Sequence, residues 1–228
     1  MHDGLRITGG EHRGRKLFSP PKNTIRPASD MIRQAVFNML GSDILGVDFY
    51  DVFAGTGVVG LEAISRGARR AIFVENSRKQ IQLIERNTKH VGVWDQADVR
   101  MADAFLWGRH FKANGGPTIV FIGPPYELFA EKETEKTLGL VERVQNALRP
   151  GDLLVFQFAR QVSTDRLPRQ EGWYRLRQYG KSQVGLWSIP DPDAPKAASD
   201  DGIDDGIDER SIDNETDEGS TDDESANP

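Results

Sequence analysis

The chain has 228 residues and no cysteine, with 29 Lys and Arg against 35 Asp and Glu, so disulfides and thiolate metal sites are excluded. His2, His12, His90 and His110 are scattered without ligand spacing, and no metal is expected. No run of about eighteen apolar residues occurs and the N-terminus lacks a signal peptide's apolar core, so no membrane contact and a cytoplasmic location are expected.

In chain order, residues 5–18 read as two short strands around a Gly-Gly turn, with a basic second arm. Ser29-Asp30 caps a helix through Leu40, with Ile32, Val36, Phe37 and Leu40 on one face and Arg33 on another. A buried strand is predicted over 49–53, a helix over 58–65 stopped at Gly67, a strand over 71–74, and a helix capped by Ser77 that carries Ile81, Leu83, Ile84 and Asn87. Strands near 99–101 and over 119–122 follow. A helix over 130–148 ends at Pro150-Gly151, and strand 153–158 precedes an antiparallel hairpin of 174–179 and 185–189. Strands alternating with helices imply an α/β fold, a mainly parallel doubly wound sheet with an antiparallel edge.

Composition breaks near Pro190. Residues 191–228 hold fifteen Asp and Glu against Lys196 and Arg210, so the whole-chain net charge of −6 conceals +7 over residues 1–190, 27 basic residues against 20 acidic. The tail has no aromatic residue and cannot bury enough apolar area to offset its ordering entropy, so disorder is expected there. The basic folded part suggests a polyanionic partner, a reading that charge alone leaves about even.

Two segments carry chemistry. Asp51-Val-Phe-Ala-Gly-Thr-Gly57 sits at the first strand-to-helix turn, where glycines admit a ligand close to the backbone and the helix directs its positive end. Glu75, followed by Asn76, tips the next strand, where a carboxylate can accept both hydroxyls of a ribose. Ala102-Asp103-Ala104 follows the third and offers an acceptor for an adenine amine. Gly55-Thr-Gly-Val-Val-Gly60 also fits the dinucleotide fingerprint, a rival reading. Acids at all three strand tips suit instead a ligand with a cationic centre and no phosphate, such as S-adenosylmethionine. The second segment is Pro124-Pro125-Tyr126. Two prolines end the strand in a rigid turn, and carbonyls beside an aromatic plate suit a planar base with an exocyclic amine.

These residues together resemble a known family. Arg6-Ile-Thr-Gly-Gly10, Arg13-Gly-Arg15, Arg26-Pro27 with Asp30 and Arg33, Phe37-Asn38, Asp51 to Gly57, Gly60-Leu-Glu-Ala63, Ser65-Arg-Gly-Ala68, Val74-Glu75 and Pro124-Pro-Tyr126 resemble, in order and spacing, the D-type guanine-N2 methyltransferases of bacterial small-subunit ribosomal RNA. The resemblance covers about residues 5–190. It implies a class I, Rossmann-like seven-stranded sheet using S-adenosylmethionine. It further implies an RNA-binding extension over 1–45 and a methyltransferase domain over 46–190, to which composition adds the acidic tail over 191–228. Ribosomal RNA or an assembling small subunit is the implied partner, and a monomer is expected.

By the same resemblance, Asp51, Phe53, Ala54, Gly55, Thr56 and Gly57 line the methionine side of the cofactor, Glu75 and Asn76 the ribose, and Asp103 and Ala104 the adenine. Gly123, Pro124, Pro125 and Tyr126 present the target guanine, and Arg13, Arg15, Lys16, Arg26 and Arg33 grip RNA phosphates. The chain departs from the family at Gly123, where Asp or Asn is usual and its oxygen accepts from the target amine. Accepting those protons localises a lone pair otherwise delocalised into the ring. The Pro124 carbonyl then remains. An active enzyme and a catalytically silent RNA-binding assembly factor both stay open. If the missing side chain limits turnover, Gly123→Asp should raise the rate.

Overall fold

A computed structural model describes residues 4–19, 29–113, 115–167 and 173–190; the acidic segment 191–228 and Arg26 lie outside these. Seven strands form one sheet: β1 (Asp48–Val52), β2 (Arg70–Glu75), β3 (Ala97–Met101), β4 (Thr118–Ile122), β5 (Leu153–Ala159), β6 (Trp173–Tyr179) and β7 (Ser182–Ser188). Their order is β3-β2-β1-β4-β5-β7-β6. Pairings among β1 to β5 are parallel, and β7 runs antiparallel to both β5 and β6. The sheet is thus the expected one, and its hairpin turns more tightly than predicted, over Gly180-Lys181.

β1 and β4 are buried along their whole length, because helices cover both faces of a parallel sheet. One face packs on α1 (Asp30–Leu40), α2 (Val58–Ser65) and α3 (Arg78–Val91), whose Val36, Leu40, Leu61 and Ile84 join Phe49, Phe73, Phe121 and Val155 in one apolar cluster. The other packs on α4 (Ala104–His110) and α5 (Glu131–Ala147), with Leu140 and Val144 against Ile72, Val120, Leu154 and Phe156. The chain winds from β1 outward through β2 and β3, then returns to start β4 on the other side of β1. That reversal leaves a crevice at the carboxyl ends of β1 and β4, the place where open α/β sheets bind ligands.

The N-terminal segment makes a tight loop with a single bridge, Arg6 to Lys16, rather than two strands. It is bonded to α2: Ser65 Oγ donates to the Gly9 carbonyl and accepts from the His12 N–H, and Glu11 N donates to the Ser65 carbonyl. Asn87, fully buried in α3, accepts from Phe18 N and donates to the Phe18 and Thr56 carbonyls, tying this segment to the glycine loop.

Candidate active site

The glycine loop is held from both sides by carboxylates. Asp51, at the end of β1, accepts from Gly60 N at 2.9 Å. Glu75, at the tip of β2, accepts from Gly55 N at 2.9 Å through one oxygen and from Asn76 N and Ser77 N through the other. Between them Phe53 and Ala54 both donate to the Val74 carbonyl, and Phe53 takes a left-handed φ of 65°. Such a conformation costs a bulky residue about 1–3 kcal/mol and persists where the surroundings enforce it. Gly60 is required by close approach: a Cβ there would lie 2.3 Å from the ring of Phe73.

Asp51 is 1% exposed. Burial pushes its carboxyl from the ordinary 3.8 up to about 7, the Gly60 N–H pulls it back down, and the nearby Glu75 charge pushes it up. Asp103 caps α4, one oxygen accepting from Phe105 N and Leu106 N at 2.9 Å each. The cap on α3 differs from expectation. Ser77 precedes that helix, but its side chain makes no capping bond; Glu75 satisfies the Ser77 N–H instead.

Asp51, Phe53, Ala54, Gly55, Thr56, Glu75, Asn76 and Asp103 line one cleft of about 1060 Å³ together with Gly123, Pro124, Pro125 and Tyr126. Two segments far apart in the chain are therefore walls of one space. Gly57 and Ala104 do not line it: Gly57 packs toward Ile84, and Ala104 is buried in the second core. Three further walls, Gln80 on α3, Gln157 on β5 and Ser182 on β7, carry no signal in the sequence. The hydroxyls of Tyr126 and Ser182 are hydrogen-bonded, which steadies a ring that is 46% exposed. Phe129 and Thr137 anchor the turn behind it, Phe129 by burial and Thr137 by donating to the Leu128 carbonyl.

At Gly123 the structure revises the expectation. A Cβ there would meet Phe121 Cε1 at 2.6 Å, and Phe121 is itself packed in the core. The ring fills the space that a side chain would enter. Gly123→Asp is therefore expected to destabilise by about 1–3 kcal/mol through overpacking rather than simply to raise the rate. Thermal unfolding should show most of that loss recovered when Phe121→Leu is added.

The predicted phosphate grip divides. Arg13, Arg15 and Lys16 are exposed, although one nitrogen of Arg15 also donates to the His90 and Val91 carbonyls that end α3. Arg33 is a correction. It is 1% exposed and paired with Glu62 at 3.1 Å and Asp30 at 2.8 Å, because the fully buried Glu62 carboxylate demands a cation beside it. Among the described residues no group of His, Asp or Glu could hold a metal ion, and no helix is long and apolar enough to cross a membrane.

A family model described as "Conserved hypothetical protein 95" matches residues 5–188. Ribosomal RNA small subunit methyltransferase D of Escherichia coli K12 is 36% identical over 138 residues, 60% of this chain and 67% of its own length. The protein of that name from Haemophilus influenzae is 27% identical over 184 residues, covering 76% and 87%. Among solved structures, a hypothetical protein of Thermus thermophilus superposes with a TM-score of 0.64 at 28% identity, covering 81% of this chain and 99% of its own. An RNA methyltransferase from Salinibacter ruber, solved in complex with S-adenosyl-L-homocysteine, gives 0.51 at 19% identity over 75% and 98%, a likeness of fold.

Proposed function

The chain belongs to the family described as conserved hypothetical protein 95, and from that premise we propose that it methylates the exocyclic N2 amine of a guanine in small-subunit ribosomal RNA, using S-adenosylmethionine. The observation that carries this reading is the single cleft at the β1/β4 crevice, walled on one side by Asp51, Glu75 and Asp103 and on the other by Pro124, Pro125 and Tyr126. The donor set fits the cofactor: carboxylates face a ligand bearing a sulfonium and an ammonium, and nothing in the loop offers a cation to a pyrophosphate. When bound, the cofactor supplies an electrophilic methyl group.

Each protein group then has a task. In this reading Glu75 takes the ribose hydroxyls, Asp103 borders the adenine, and Asp51 complements the cationic end. Tyr126, steadied by Ser182, offers a stacking face to the target base. Orientation of the amine against the methyl carbon supplies much of the rate, since proximity alone is worth several kcal/mol. The substrate implies a cytoplasmic enzyme, and we take the monomer as the acting unit.

The test is transfer of tritiated methyl groups to undermethylated small ribosomal subunits, with product identification by nucleoside digestion. Label in N2-methylguanosine supports the proposal; tight cofactor binding by calorimetry without incorporation overturns it. The exposed cations carry a separate expectation. Arg13→Glu with Lys16→Glu should weaken RNA binding and lower the slope of log affinity against log salt by about 2, with cofactor affinity unchanged.

A further inference from the structure

An aromatic amine is a poor nucleophile while its lone pair is shared with the ring, and acceptors on its two N–H protons restore that pair to nitrogen. At the end of β4 the chain carries no side chain able to do this, because Gly123 has none and Phe121 fills the space. The Pro124 carbonyl is one acceptor at hand: Pro125's carbonyl already accepts from Leu128 N. A second must come from a neighbouring element.

The register locates it. Phe121 pairs with Val155 and Ile122 with Phe156, so the next position, Gly123, lies beside Gln157, where β5 continues after β4 has ended. Alternation puts Leu153, Val155 and Gln157 on the same sheet face as Ile119 and Phe121, and Leu153, Val155, Ile119 and Phe121 do share one core cluster. Gln157 breaks that apolar row: it is the half-buried position in an otherwise buried strand, and it lines the cleft with Gly123 and Pro124. Its side-chain amide makes no hydrogen bond among the described residues, whereas the Ser182 hydroxyl is engaged with Tyr126, and Gln80, whose Oε1 also has no partner, stands on α3, which packs chiefly on β2 and β3 rather than beside the end of β4. Glu127 stands on the exposed turn, in water that weakens any such contact. A half-buried amide on the cleft wall with no protein partner is free to present its carbonyl oxygen to a ligand there.

We propose that Gln157 is a catalytic residue whose Oε1 accepts one proton of the target amine while the Pro124 carbonyl accepts the other, replacing the acceptor that Gly123 lacks. This rests on the methyl-transfer reading above. In the step it assists, the amine's lone pair forms the bond to the methyl carbon, the carbon–sulfur pair returns to sulfur, and one N–H proton leaves to solvent.

The full-length chain tests this with Gln157→Leu and Gln157→Glu, the second keeping an acceptor at the same reach. With tritiated cofactor and undermethylated small subunits, Gln157→Leu should lower kcat about 10²-fold, with KM raised no more than about fivefold and calorimetric cofactor affinity within about twofold. Gln157→Glu should return to within about tenfold of the parent. A readout independent of turnover is competition between guanosine and inosine monophosphates in the presence of S-adenosylhomocysteine, since inosine lacks the 2-amine. The parent should prefer the guanosine nucleotide about 30-fold, as two hydrogen bonds provide, and Gln157→Leu should cut that preference to about fivefold, the share left to the Pro124 carbonyl. A Gln157→Leu chain with kcat within about threefold of the parent, or with the preference intact, overturns the assignment while leaving methyl transfer standing. A parent chain that transfers no methyl group overturns both.

Discussion

Glu62→Leu is expected to lower the unfolding free energy by about 3–5 kcal/mol, the usual cost of removing one partner from a buried ion pair. The carboxylate is fully buried in α2 and serves several neighbours. Arg33 Nε donates to it at 3.1 Å, Arg66 donates from the next turn of the helix at 2.8 Å, and both Thr8 N and the Thr8 hydroxyl reach it from the N-terminal segment. Arg33 in turn holds the Arg6 carbonyl at 2.7 Å and Asp30 at 2.8 Å. Deleting Glu62 takes the buried carboxylate from Arg33, which keeps Asp30 at its edge, and releases the loop bearing Arg13, Arg15 and Lys16. Denaturant unfolding should show the loss in full, and amide exchange should rise in residues 5–18 before it rises in β1 or β4. The double variant Arg33→Leu with Glu62→Leu should recover part of the loss, because the buried cation that lost its nearest buried carboxylate goes with it. Equal stability of the single variant and the parent would mean that the network contributes nothing net.

The same cluster explains where reading from sequence stops. The strands of the central sheet are legible because strands buried on both faces read as plain apolar runs, as in Thr118-Ile-Val-Phe-Ile. The cleft is half legible for a related reason: its acids and its Pro-Pro-Tyr turn stand at strand ends, and a parallel sheet gathers strand ends in space. Arg33 cannot be read correctly, because its face on α1 is fixed by Glu62, 29 residues away, and by a loop whose docking no local pattern encodes. Ala104-Phe-Leu-Trp-Gly-Arg-His110 gives no warning of α4, since seven residues with an internal glycine carry little helix propensity; Asp103 reads as a ligand contact, and the cap it makes is hidden with the helix. Gln157 is invisible for the opposite reason. In Leu153-Leu-Val-Phe-Gln-Phe-Ala it is one polar letter in an apolar strand, and only pairing with β4 shows what stands beside it.

Asp51→Asn is expected to separate stability from cofactor binding. In the parent, Asp51 holds its proton up to about pH 7 because ionisation in its buried site is unfavourable. The unfolded chain gives that proton up near 3.8, so between these values the folded state binds the extra proton. Stability from this group is greatest below about pH 4, falls as pH rises through about 4 to 7, and is level above about 7. At pH 8 the ionised carboxylate costs roughly 4 kcal/mol relative to its unfolded state. Asparagine keeps an acceptor for Gly60 N and needs no ionisation, so the variant should melt higher than the parent at pH 8 and lose that advantage by pH 4. Cofactor binding should move the other way. A ligand with cationic sulfonium and ammonium groups favours the ionised carboxylate, so the parent's affinity should climb about tenfold per pH unit below 7 and flatten above it, with a proton released on binding below 7. Asp51→Asn should bind about 10- to 100-fold more weakly at pH 8, the span of a lost charge-assisted contact, and show no such pH dependence. Calorimetry in two buffers of different ionisation enthalpy reads both the affinity and the proton count. A variant that binds as tightly as the parent, with the parent's pH profile, would place the cationic end of the cofactor away from β1 and leave the raised carboxyl as a feature of folding alone.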